Sequence, residues 1–237
     1  MSSSEAWSRL GGILIAVLAA GAAMVVLVPR WLGVAAGPEA EIITVLKSTE
    51  RQGLSLALPG VGEPLTSREH HFARITVNVE PGGERAVAWA TLDFSGRLGG
   101  TSVSSLGVER VPFVRRGRDW VPEGLAAPRL AAVVRALESR RQALEAGNRE
   151  ALEGLLSRGG AADAGGGETE LERVMALQRR RYRSEAWYLR LERDDAVASE
   201  EWRLEGQLPS RPVDEKGQRR LSLVRSGEEF LFSPGLM

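Results

Sequence analysis

The 237-residue chain contains no cysteine. Disulfides, thiolate metal sites, a cysteine nucleophile and a lipoprotein cysteine are all excluded. Lysine is nearly absent too: of 31 basic residues only Lys47 and Lys216 are lysine. Net charge is missing, because 31 basic residues balance 31 acidic ones. That argues against a dedicated nucleic-acid binder, which shows a basic excess. G-x-S-x-G, P-loop and G-x-G-x-x-G patterns do not occur. Histidine is confined to His70 and His71. Adjacent residues on a strand face opposite ways, so the pair does not converge on one metal. No cofactor, metal or catalytic set is expected. What remains is ordinary for a folded protein, with 43% apolar and 26% charged residues.

Charge is also missing locally. Leu10 to Val28 is an uncharged, apolar run. As a helix it would span roughly 28 Å, close to the hydrocarbon core of a bilayer. Trp7 and Arg9 precede it, and Arg30 and Trp31 follow, matching the two membrane interfaces. A short tail over residues 1–9 and a transmembrane anchor over 10–32 are expected. The rival is a cleaved signal peptide ending near Val34-Ala35-Ala36, but the apolar run exceeds a usual signal core. Gly12, Ala16 and Ala20 share one helix face, where small residues would let another transmembrane helix approach. The charges flanking the span give almost no orientation bias. A short N-terminal tail favours the inner membrane with the later domains in the periplasm.

After the anchor, Gly37-Pro38 opens a helix with Glu39 and Glu41 in its first turn, and Gly53 ends it. Leu54 to Thr66, rich in Pro and Gly, reads as a loop. From Phe72 apolar residues alternate with polar ones, the period of a half-buried strand. A second strand covers Ala86 to Phe94, and Ser95 to Ser105 reads as a Gly/Ser-rich connection. A hairpin follows around Arg116-Gly117. Leu130, Val133, Val134, Leu137 and Leu144 mark an amphipathic helix, stopped by Gly147-Asn148. A short helix and a Gly/Ala tether come next. A third helix is expected to run to about Arg183, then strands at 186–192, 199–206, 219–225 and 228–232.

The two halves end alike. Residues 114–121 (VRRGRDWV) align with 224–231 (VRSGEEFL) at an offset of 110, and VNVE at 77–80 aligns with LRLE at 189–192 at 112. This order predicts an α+β fold, with domains over 38–122 and 128–237 that each pack helices on a curved antiparallel sheet. Helical entry followed by a long meander resembles the nuclear transport factor 2-like, cystatin-like α+β cone superfamily. The likeness is best in AAVVRALESRRQALEAGNREALEGLLS, WYLRLERDD and RRLSLVRSGEEFLF. It implies tandem cones, which could pair through their open sheet faces. Enzymes of that superfamily hold an Asp, Tyr or His inside an apolar cone, where burial shifts its pKa. The strand acids here are Asp93, Glu109, Glu200 and Glu201, and none pairs with a histidine at a suggestive spacing.

The densest basic run is Arg179, Arg180, Arg181 and Arg183. It reads as the solvated end of a helix, with partner contact as the functional alternative. The expected function is a non-catalytic, membrane-anchored scaffold or accessory subunit of a bacterial envelope complex. Its partners would be the lipid bilayer and other integral membrane proteins, with no nucleic acid. The alternative is a membrane-tethered cone that binds a small molecule or acts as an isomerase or dehydratase. An open apolar pocket around one acid would favour it; an interior filled by Trp89, Trp202 or Phe would oppose it.

Overall fold

The structure, a computed structural model, describes residues 37–157 and 167–233. The expected anchor lies outside them, with Trp7, Arg9, Gly12, Ala16, Ala20, Arg30 and Trp31. Among the described residues no helix is long and apolar enough to cross a membrane.

Helix α1 (Pro38–Gln52) starts on its proline and carries Glu39 and Glu41 in the first turn. Gly53 ends it at a φ of +79°, with its N–H returned to Thr49. Only a residue without Cβ takes that conformation freely. Short strand β1 (Ser55–Leu56) leads to three long strands, β2 (Leu65–Val79), β3 (Arg85–Leu98) and β4 (Thr101–Arg116), and to short β5 (Asp119–Pro122). Helices α2 (Pro128–Ala146), α3 (Arg149–Gly154) and α4 (Gly167–Ala176) follow. The second half then repeats the strand pattern with β6 (Gln178–Leu191), β7 (Asp195–Leu208), β8 (Arg211–Ser226) and β9 (Glu229–Phe232). As expected, Gly147 ends α2 in a left-handed conformation, and the Asn148 side chain accepts the Ala151 N–H to start α3.

All nine strands form one sheet in the order β1-β2-β3-β4-β6-β7-β8-β9, with β5 also on β4. Every pairing is antiparallel except β4 with β6, which run parallel from Ser102 beside Ala186 to Gly107 beside Leu191. The two halves therefore meet along a strand edge, not through sheet faces. Gly107 shows how close that approach is. A Cβ there would lie 2.2 Å from the Leu191 carbonyl oxygen. The described residues from Ile42 onward form one compact unit, and the sheet runs past the Pro122–Pro128 boundary.

Helices cover one face of the sheet, so the α+β expectation holds. The main core joins Ile42 and Leu46 of α1, Leu130, Val133, Val134 and Leu137 of α2, and inward residues of both halves' strands. Each buried Leu or Val contributes roughly 1.5–3 kcal/mol. A smaller cluster gathers Leu144, Val174, Leu177, Tyr182 and Leu204.

Three local expectations are corrected. Ser95 to Ser105 is strand, broken only by the Gly99-Gly100 turn. Leu98, Thr101, Val103 and Ser105 are buried along this run, while Ser95, Ser102 and Ser104 stay exposed, so its residues alternate between the inner and outer faces. Gly96 is set by close approach, since a Cβ would lie 2.3 Å from the Thr66 carbonyl oxygen. Strand β2 starts at Leu65, earlier than its apolar alternation suggests. The third helix stops at Ala176, and strand β6 begins at Gln178. The Arg run belongs to that strand, because Tyr182, Ser184 and Ala186 turn inward while Arg181 and Arg183 turn out.

Candidate functional site

The inner face of the second half holds a buried charge network around Glu200 on β7. Glu200 is 1% exposed and Arg140, from α2, is 2% exposed. Arg140 Nη1 donates to Glu200 Oε2 at 3.0 Å. Tyr182 donates its hydroxyl to the same oxygen at 2.9 Å. Ser184 and the Trp187 indole N–H donate to Oε1. Arg219 of β8 places Nε 3.5 Å from Oε2 and its guanidinium 4.6 Å over the Trp202 ring. Trp202 stacks on Tyr182 at 6.2 Å. Burial pushes the Glu200 carboxyl up, but Arg140, Ser184, Arg219 and Tyr182 together hold it below the ordinary carboxylate range. Burial and the Glu200 charge push the Tyr182 phenol up. The carboxylate is thus a stable anion saturated with donors. A catalytic base needs the opposite: a raised pKa and an open lone pair.

A second buried acid, Glu109 on β4, is fully shielded from solvent. Its oxygens accept the backbone N–H groups of Arg129 at 3.0 Å and Leu130 at 2.7 Å. It caps the N-terminus of α2 from a distant strand, because Ala127 offers no capping side chain. Burial raises its pKa to about 7, against the pull of those two N–H groups and Arg129. The Arg129 side chain donates to the carbonyl oxygens of Val108 and Glu192, joining β4 to the β6–β7 turn. The first half's interior is otherwise filled by Phe72, Phe94 and Phe113, all buried.

Two clefts open beside these networks. One, of about 290 Å³, lies at the start of α2 and is lined by Arg110, Arg129, Arg135 and Arg225 with Leu125 and Phe230. The other, of about 550 Å³, lies by the Gly99-Gly100 turn and is lined by Glu138, Arg141, Arg183 and Glu185. In it Arg141 is clamped by Glu138 at 2.8 Å and Glu145 at 2.6 Å.

The arginine run divides by role. Arg180 reaches back to the Val174 and Met175 carbonyl oxygens at 3.2 and 3.3 Å, capping the end of α4. Arg179 adopts a positive φ of 50° at a β-bulge. Arg181 and Arg183 are exposed, and Arg183 borders the larger cleft. Arg180 thus differs in role from the other three, which are exposed. His70 is buried with its Nε2 3.2 Å from the Thr49 hydroxyl, whereas exposed His71 sits 3.2 Å from Glu50. Asp93 and Glu201 do not join the buried acids: Asp93 is exposed, and Glu201 is half-buried with its carboxylate taking a bond from Gln218. Trp89 is not in the interior. It lies on the outer face, flanked by Arg110 at 6.0 Å and Arg193 at 5.9 Å.

The roles of Glu109, Glu200 and Arg140 were not assigned from sequence, although a signal exists. Glu109 shares strand parity with Val111 and Phe113, and Glu200 with Ala196 and Ala198. Arg140 falls on the α2 stripe that contains Val133, Leu137 and Leu144.

No family model matches the chain, and no curated protein matches it. Among solved structures it is similar to a provisionally assigned ketosteroid isomerase from Shewanella frigidimarina, at 15% identity and a TM-score of 0.36, covering 43% of this chain and 90% of that one. It is also similar to a nuclear transport factor 2-like protein involved in plasmid conjugation, at 12% identity and a TM-score of 0.32, covering 71% of this chain and 75% of the other. Neither likeness speaks to activity.

Proposed function

We propose that the chain is a non-catalytic scaffold or accessory subunit of a larger bacterial envelope complex. It makes protein contacts through two nuclear transport factor 2-like α+β repeats held behind one N-terminal transmembrane helix. In this reading the helix sits in the inner membrane among other integral membrane proteins, and the repeats lie in the periplasm.

The observation that carries the reading is the occupied interior. Glu200 takes bonds from Tyr182, Ser184, Trp187 and Arg140, and Glu109 is spent on two helix N–H groups. Such groups stabilise a rigid body, because their carboxylate oxygens accept bonds from the fold's own donors. The uncharged run at 10–28 and its Trp and Arg flanks support the membrane part.

The test is purification of the full chain in a mild detergent, followed by identification of what comes with it. A stoichiometric set of membrane proteins is expected. Recovery free of other membrane proteins, in the aqueous phase without detergent, would overturn the reading. An isomerase-like activity abolished by Glu109→Gln or Glu200→Gln with the fold intact would replace it with the enzymatic alternative.

A further inference from the structure

The two halves repeat their backbone bonding, not only their strand lengths. Glu123 N–H donates to Pro112 at 2.8 Å, and 110 residues later Ser233 N–H donates to Ser222 at 2.9 Å. Arg115 N–H donates to Glu84 and Arg225 N–H to Asp194, both at 2.9 Å. In each half the third long strand, β4 or β8, carries a short closing strand on one end of its outer edge: β5 at Phe113–Arg116 and β9 at Leu223–Ser226.

The rest of that edge differs. On β4, residues 102–107 are taken by β6 in parallel. On β8, the counterpart 212–217 has no strand beside it among the described residues. The receiving side is open as well. The β6 stretch 186–191 corresponds, 112 residues earlier, to 74–79 of β2. Strand β1 covers β2 only at Leu65–Thr66, and α1 covers it near Phe72, where Lys47 bonds the carbonyl oxygen and Glu50 accepts the N–H. Glu80 N–H points to Arg85 on β3, so by alternation the N–H groups of Val77 and Val79 point away from β3. Among the described residues, the chain thus carries one half of its own internal junction, unfilled, at each end of the sheet.

We propose that these two edges belong together: β8 of one copy receives β2 of a second copy, in parallel and in the register of β4 with β6. Transferring that register sets Pro212 beside Arg74, Asp214 beside Thr76 and Gly217 beside Val79. Gly217 then repeats the feature that Gly107 supplies inside the chain, an absent Cβ where the incoming strand crowds closest. Pro212 lacks an N–H and Lys216 adds charge, which discourage unregistered pairing at this edge but leave Asp214 and Lys216 able to bond. Each copy offers one edge of each kind, so the contact is head-to-tail and yields rings or open chains. The inference stands on strand pairing alone, independently of the scaffold reading.

The absence of cysteine makes the test clean. Thr76 and Asp214 are both exposed and would face each other about 4.8 Å apart across parallel strands, within reach of a disulfide. The full chain carrying Thr76→Cys and Asp214→Cys together, oxidised in mild detergent, should give a ladder of covalent dimers and larger species. Either single variant should give none. Adding Val77→Pro removes an outward N–H without touching the β3 ladder, and Lys216→Pro does the same from the other edge. Each should abolish the ladder with the unfolding transition retained. A double variant that stays monomeric, single variants that cross-link equally, or a ladder that survives both prolines would overturn the proposal.

Discussion

The two halves share a strand plan but turn opposite charges inward at matched positions. On β4 the inward residue is Glu109; on β8, 110 residues later, it is Arg219. The first half's carboxylate serves a helix terminus, whereas the second half's, Glu200, binds Arg140 on the helix and Arg219 on the sheet. One backbone plan therefore accommodates two electrostatic solutions. The reason is that the helix α2 enters over the first half with bare N–H groups and crosses the second half with side chains.

Breaking the second network should have the larger effect. Arg140→Ala leaves Glu200 buried without its closest cation, and should lower stability by about 3–5 kcal/mol in urea unfolding. The double variant Arg140→Ala with Glu200→Ala should lose less than the sum of the singles, as coupled groups do. In the first half the prediction is a pH dependence. The folded pKa of Glu109, about 7, lies above its ordinary value. The folded state keeps that proton where the unfolded chain has lost it, so stability should fall as pH rises from about 4.5 to 7. The drop should be on the order of 3 kcal/mol, and Glu109→Gln should flatten it. Glu200 has the opposite sign: its lowered pKa gives stability above the ordinary carboxylate range that is lost as pH falls through its folded value.

A matched glycine pair sharpens the comparison further. Gly107→Ala drives a Cβ into the Leu191 backbone, whereas at Gly217 the Cβ meets only the Trp202 side chain, at 2.9 Å. Gly107→Ala should cost about 1–3 kcal/mol and Gly217→Ala clearly less, measured by thermal unfolding. The smallest effect is local to the helical connection. Asn148→Ala removes the cap on α3 and should cost about 1 kcal/mol.

Much of this was legible from local pattern. The Gly53 and Gly147 helix ends, the Asn148 cap and the turns at Gly117 and Gly227 each depend on one residue's own conformational freedom. The Gly/Ser run at 95–105 was misread because its strand is secured by neighbours on both sides, not by its own propensity. The Arg run was misread as helix for a related reason. Its alternation is visible only when Tyr182 and Ser184 are seen to face Glu200.

By itself the sequence determined the helix ends, most of the strands and the apolar stripe of α2, since periodicity and capping are properties of neighbouring residues. Only the tertiary structure decided that β4 and β6 pair in parallel, and that Glu109 and Glu200 turn inward to partners. Strand edges bond through backbone groups that every residue shares, so the pairing partner is not written in side-chain identity. An inward acid is tolerated only where distant donors meet it, and those donors lie 13 to 60 residues away along the chain.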